Sequence, residues 1–183
     1  MTDEDATHGQ VSSMRATAHP VRLQMLSLLT GAEMSAAEIA RELGLTHANA
    51  SYHLRVLAAA DLVVQAGEER IRGGVAKRYR HPWDRPEPRA MYASEDRDPY
   101  IRAMSDELAR RFASRKRGGR SMTTDAEMWV DPEIWKEVET LVRRASMLLH
   151  AEAKPPRTSG TIHVNMTAAV FEMSDSDGER TGR

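Results

Sequence analysis

A chain of 183 residues, 40% of them hydrophobic, is long enough for one or two domains, and without a cysteine it can form neither a disulfide framework nor a thiolate metal site. Its net charge of −1 conceals a segregation: residues 84–120 hold ten Lys/Arg against seven Asp/Glu and residues 121–183 seven against eleven, so a nucleic-acid reading has to rest on a local patch. No stretch approaches the roughly 18 apolar residues that span a bilayer, and residues 1–10 are too acidic and polar for a signal peptide, so a cytoplasmic protein is expected.

Residues 1–10 are predicted to be a disordered tail and Val11 to Ala18 a short helix. Pro20 suits the first turn of the next helix, which Val21, Leu23, Met25, Leu26, Leu28 and Leu29 predict to be almost wholly buried. His19, at its start, reads as structural rather than as a ligand. Ser35 and Glu38 then form an S-x-x-E capping box, with Ile39, Ala40 and Leu43 on one helical face. Gly44 suits the left-handed residue that ends a helix, Leu45 plugs the corner and Thr46 can cap the next helix. The pattern is helix, short turn, helix, which by itself is shared with plain structural hairpins.

From His47 to Ala60 the apolar stripe is Ala50, Leu54, Leu57 and Ala58. The opposite face carries His47, Asn49, Ser51, Tyr52, His53 and Arg55, and no carboxylate appears before Asp61. A solvated helix usually mixes both signs, so this face suits phosphates, and Asn and Arg can make paired hydrogen bonds to base edges. A polar surface helix is the plainer alternative. Leu62 to Gln65 and Ala76 to Arg80 read as strands of a hairpin with Arg72-Gly73-Gly74-Val75 at its tip. Arg70, Arg72, Lys77, Arg78 and Arg80 make that ribbon basic, as expected of a phosphate or minor-groove contact.

Ala18-His19-Pro20-Val21-Arg22-Leu23, the capping box, Ser51-Tyr52-His53-Leu54-Arg55-Val56-Leu57 and Asp61-Leu62-Val63 together resemble the arsenic-repressor-like (ArsR-type) winged-helix transcription regulators, over roughly Ser12 to Trp83. The resemblance implies a dimeric bacterial regulator that represses a promoter and is tuned by a signal. It implies base-reading roles for His47, Asn49, Ser51, Tyr52 and His53, and a Val11–Ala18 helix that packs across the dimer. The chain departs from the founding metal sensors at the earlier helix, which reads Ala36-Ala37-Glu38-Ile39-Ala40 without cysteine, so thiolate metal sensing and disulfide redox sensing are excluded.

Residues 84–98, with Pro86 and Pro88, read as a linker after a winged helix-turn-helix domain spanning 11–83. Residues 99–117 are predicted to form a dimerisation helix, Tyr100 to Arg115, with Ile101, Met104, Leu108 and Arg111 or Phe112 as its stripe. Residues 121–173 predict a strand–helix–strand module. Alternation at Met122, Thr124, Ala126, Met128 and Val130 gives the first strand; Asp131-Pro132 starts a long amphipathic helix that Pro155-Pro156 stops; Ile162, Val164, Met166, Ala168 and Val170 give the second. Two readings of this module stand side by side. Met128, Trp129, Trp135, Met147, Met166 and Phe171 line a candidate pocket for a small effector, or they are core of a dimerisation scaffold. His150, Glu152 and His163 are too sparse to argue for a metal, and residues 174–183 are expected to be disordered.

No nucleophile elbow, phosphate loop or HExxH occurs, so no enzyme and no cofactor is expected. The fold class is mainly α with a small β component. The DNA-contacting set is Thr46, His47, Asn49, Ser51, Tyr52, His53, Arg55, Arg70, Arg72, Lys77 and Arg78. The partners expected are double-stranded DNA, a second copy and a small effector, with no membrane. A winged-helix adaptor that binds protein and not DNA is the alternative.

Overall fold

The computed structural model describes residues 14–71, 74–85 and 97–174. After a helical turn at 14–17, the chain forms α1 (Pro20–Gly31), β1 (Met34–Ser35), α2 (Ala36–Leu43), α3 (His47–Ala59), β2 (Val64–Ile71), β3 (Gly74–Arg80), α4 (Asp98–Ala113) and α5 (Pro132–Glu152). The expected tail at 1–10, all but residue 174 of the expected tail at 174–183, residues 11–13 of the first helix, Arg72 and Gly73 at the hairpin tip, and the linker prolines Pro86 and Pro88 lie outside the described residues.

The local signals act as expected in the first half. His19 caps α1, its Nδ1 accepting from the Val21 N–H at 3.2 Å. Ser35 and Glu38 form the capping box of α2, and Gly44 ends that helix at φ 65°, ψ 33°. Thr46 Oγ1 accepts from the Asn49 N–H and starts α3. At the end of α3, the Asp61 and Leu62 N–H groups bond the Ala58 and Leu57 carbonyls, with Asp61 at φ 57°. This is a helix-closing motif with Asp in the place usually taken by Gly, and it delays the strand expected at Leu62 until Val64.

The sheet has the order β1-β3-β2, all antiparallel. β1 was not expected; two residues are too few to carry a pattern. It pairs Met34 with Tyr79 and Ser35 with Arg78, and so ties the start of α2 to the wing. Met25, Leu29, Met34, Ile39, Ala40, Ala50, Leu54, Leu57 and Val63 form one core beneath α1, α2 and α3. The expectation that α1 is almost wholly buried is corrected: only Met25 and Leu29 are buried, while Val21, Leu26 and Leu28 are half-buried against the core edge. A helix packed on one side by two short helices cannot hide its whole circumference.

The second half departs further. In α4 the buried residues are Ala103 and Glu107, and the expected inward residues Ile101, Leu108 and Phe112 are exposed. Of the expected strand–helix–strand module only the helix is seen: residues 121–130 and 161–173 have no regular secondary structure and join no sheet among the described residues. Alternation promises a half-buried strand only where an adjacent strand completes its hydrogen bonds, and the described residues supply none. α5 forms as predicted, yet none of its residues is buried. Its C-terminal end leans on the first half, where Trp83 meets His150 with ring centroids 5.7 Å apart and Arg157 bonds Glu42 at 2.7 Å. No helix is long and apolar enough to cross a membrane among the described residues.

Candidate nucleic-acid interface

α3 is held by burial of Ala50, Leu54 and Leu57, which leaves its N-terminal face outward. Thr46, His47, Asn49 and Arg55 are exposed, and the Tyr52 side chain stands out at 54%. Ser51 is half-buried and its carbonyl accepts from Arg55 Nε at 3.4 Å. No acidic residue lies in the first turn of α3, so the positive end of the helix dipole is unopposed there.

His53 differs from its neighbours. Its ring lies 4.9 Å from that of His19 and 5.3 Å from that of Tyr52, and its Nδ1 is buried without a hydrogen-bond partner. Burial, then the nearby His19 and Arg22, holds its pKa below the usual histidine value; burial and Arg22 do the same to His19. Both rings are therefore neutral near pH 7. Arg22 itself donates to the Arg15 and Ala16 carbonyls. The geometry thus ties the base-reading candidate His53 to the start of α1 and turns it away from the exposed row.

The wing is longer than expected. β2 and β3 pair from Val64↔Arg80 to Ile71↔Gly74, with an irregularity between Gln65 and Gly67. Arg70 pairs with Val75 and Glu68 with Lys77, so these four share one face of the ribbon. Arg70 and Lys77 are exposed, while Glu68 accepts from Gln65 at 3.2 Å. Exposed Ile71 and Val75 add an apolar tip that the charge count overlooked. Arg72, expected at that tip, lies outside the described residues.

Arg78 is on the other face and is occupied. Its Nη1 donates to Glu38 Oε2 at 3.2 Å and to Glu69 Oε2 at 2.7 Å, and its Nη2 donates to the Glu33 carbonyl. Its side chain is 26% exposed. A guanidinium with three internal acceptors clamps the wing to α2, so the expected phosphate contact would have to compete with these bonds. Burial works against ionisation of Glu38, but the Ser35 hydrogen bonds and Arg78 outweigh it and hold its pKa below the usual value. Glu38 therefore both caps α2 and grips the wing, and only the first role was legible from spacing.

Glu107 was also missed. Buried on α4, it accepts from Gln24 of α1 at 3.0 Å and from Arg110 and Arg111 at 2.5–2.8 Å. Burial opposes its ionisation, yet these donors lower its pKa to about 2. The signal was present as Glu107, Arg110 and Arg111 at i, i+3 and i+4. Arg111 further reaches Ser27 and Asn165, so the cluster joins α1, α4 and the C-terminal segment.

The candidate effector residues do not converge on an enclosed cavity. Met128, Trp129, Met147, Met166 and Phe171 are 40–89% exposed, and Trp135 is half-buried. His150, Glu152 and His163 form no metal cluster, and among the described residues no group of three or more His, Asp or Glu could hold an ion.

Residues 17–66 match the family model of a helix-turn-helix domain. The chain carries a helix-turn-helix domain. The match spans α1 to the start of β2 and supports a winged helix-turn-helix regulator without singling out the arsenic-repressor-like branch. It points to a DNA-binding regulator rather than an enzyme. No curated protein matches the chain.

Proposed function

We propose that the protein is a sequence-specific DNA-binding transcriptional regulator that acts as a homodimer on an inverted-repeat operator, as a repressor of its own or a neighbouring operon, in the compartment that holds the DNA. The observation that carries this reading is the exposed, carboxylate-free N-terminal face of α3 beside a wing whose outward cations are Arg70 and Lys77. A recognition helix of this kind enters the major groove with its first residues against base edges, and half-sites then lie about one helical turn apart. Thr46, His47, Asn49, Ser51 and Tyr52 are the base-edge set, with Arg55, Arg70 and Lys77 on phosphates. Arg72, expected on the wing from the sequence, belongs with that phosphate set. His53 and Arg78 serve the scaffold.

Dimerisation would run through α4, whose Ile101, Leu108 and Phe112 are uncovered in the single chain, and through residues 121–173. An amphipathic effector site at Met128, Trp129, Trp135, Met147, Met166 and Phe171 would be completed only by the second copy.

The test is fluorescence anisotropy of the full chain on the upstream DNA of its own operon at two salt concentrations, with random duplex as competitor. Competitor-resistant binding with a steep salt slope is expected. Asn49→Ala and Tyr52→Ala should each lower the specific-to-random ratio by about 5- to 150-fold. If neither the operator nor random duplex is bound at low salt, the reading fails and the protein-binding adaptor replaces it.

A further inference from the structure

The long helix α5 ends with no buried residue, and its apolar stripe is uncovered. Ile134, Val138, Leu141 and Leu148 are 36–63% exposed, and Ala145 completes their a/d spacing. The half-buried positions Trp135, Val142, Ser146 and His150 sit on the adjacent face, toward the chain's own residues. A 21-residue helix that leaves this much of its apolar stripe to water, with none of its residues buried, is not a stable end state.

The charges beside the stripe say what covers it. Glu137 and Arg144 stand seven residues apart on the same flank, and neither has an ion-pair partner among the described residues. Such flank positions meet their own counterparts across an antiparallel helix pair, and meet the opposite flank across a parallel one. Antiparallel pairing of α5 with itself sets Glu137 against Arg144 of the copy, twice over by symmetry. The same register sets Val138 against Leu141 and Ile134 against Ala145. Parallel pairing brings Glu137 and Arg144 beside Val142 and Leu149 instead, and leaves both charges unanswered.

We propose that the uncovered face of α5 is a self-recognition surface that docks antiparallel on α5 of a second copy, with Glu137 and Arg144 fixing direction and register. The proposal rests on the dimeric part of the functional reading and names the contact that part leaves open.

The test uses the full chain at low ionic strength, with self-association followed by sedimentation velocity. Glu137→Arg and Arg144→Glu should each weaken the dimer by about tenfold. An equimolar mixture of the two should restore it, because only the mixed pair has opposite signs at both contacts. The chain has no cysteine, so Ile134→Cys and Ala145→Cys each introduce a single thiol. Mild oxidation should link the mixture and neither variant alone, since like positions lie about 16 Å apart in this register. A disulfide between two copies of Ile134→Cys would mean parallel pairing and overturn the proposal. A dimer indifferent to both charge reversals and forming no mixed disulfide would also overturn it, moving the interface to α4 or residues 121–130 and 161–173 without touching the DNA reading. A monomer at every concentration would overturn it and assign the stripe to a different protein. Mixed disulfide and charge rescue in a protein that binds no DNA would uphold the proposal and remove the DNA reading alone.

Discussion

In α3, Ala50, Leu54 and Leu57 are buried, and the helix is fixed by contacts within its own chain. In α5, a longer helix with a clear apolar stripe, no residue is buried. Both sequences announce an amphipathic helix, and the difference lies in what waits opposite. α3 faces α1 and α2 within a few dozen residues of chain. α5 is flanked by segments without regular secondary structure that join no sheet among the described residues. Amphipathic pattern therefore states that a face will be covered and is silent on whether the cover is the same molecule.

The largest expected effect separates these two halves directly. Leu57→Ala removes a fully buried side chain from the core and should cost about 2–5 kcal/mol in urea unfolding at any protein concentration. Leu141→Ala, 56% exposed in the chain, should leave the unfolding of dilute monomer within about 0.5 kcal/mol of the parent. Its effect should grow with concentration as dimer forms. A concentration-independent loss of several kcal/mol at Leu141 would mean that α5 is buried within its own chain and would erase the contrast.

The hinge between the halves is Glu107, and acid should find it. Its folded pKa of about 2 lies below the unfolded carboxylate value, so the stability it adds is present above about pH 4.5 and is lost as pH falls toward 2. A shift of this size corresponds to at most about 3 kcal/mol. Glu107→Gln keeps the shape but not the charge. It should lower stability at pH 7 and flatten the acid limb of the unfolding midpoint below pH 4.5. An acid limb parallel to that of the parent would mean that the arginines do not depend on this carboxylate.

The same contrast governs how much could be read in advance. The capping box, Gly44, the Thr46 cap and the core of α3 were legible because each is decided by residues within one turn. Long-range commitments were not. Arg78 counts as a wing cation in any tally of charge, and only register places it beside Glu38, forty residues away in sequence. The alternation at 121–130 and 161–173 is real, but a strand needs a neighbour that spacing cannot name. Of the proposed DNA-facing set, the exposed row of α3 was recoverable from its missing carboxylates. His53 was not separable from that row, because its burial depends on the distant His19.

Two adjacent cations on β3 sharpen the division between scaffold and contact surface. Arg78→Ala should destabilise the fold by about 1–2 kcal/mol through loss of its bonds to Glu38, Glu69 and the Glu33 carbonyl. On DNA it should leave the salt slope unchanged once folding is complete. Lys77→Ala should do the reverse, with stability near the parent and the slope of log K against log salt reduced by about 1. Equal slope changes for both would return Arg78 to the phosphate-contacting set.

The smallest effect probes where scaffold and contact surface meet, at His19 and His53. Both folded pKa values lie below the unfolded one, so their contribution is whole above about pH 6.5 and declines as pH falls through that value toward the folded pKa. His19 adds a geometric reason, since its Nδ1 accepts from the Val21 N–H and cannot do so once protonated. Losing a helix cap costs about 1 kcal/mol. His19→Asn supplies a cap that does not titrate, so the variant should match the parent at pH 7.5 and be the more stable of the two at pH 5.5. The His53 ring lies against His19 on the helix that carries Asn49 and Tyr52, so the parent's DNA affinity should fall over the same interval and the variant's should fall less. Identical pH profiles for the two proteins would mean that neither the cap nor the ring contact reaches the recognition helix.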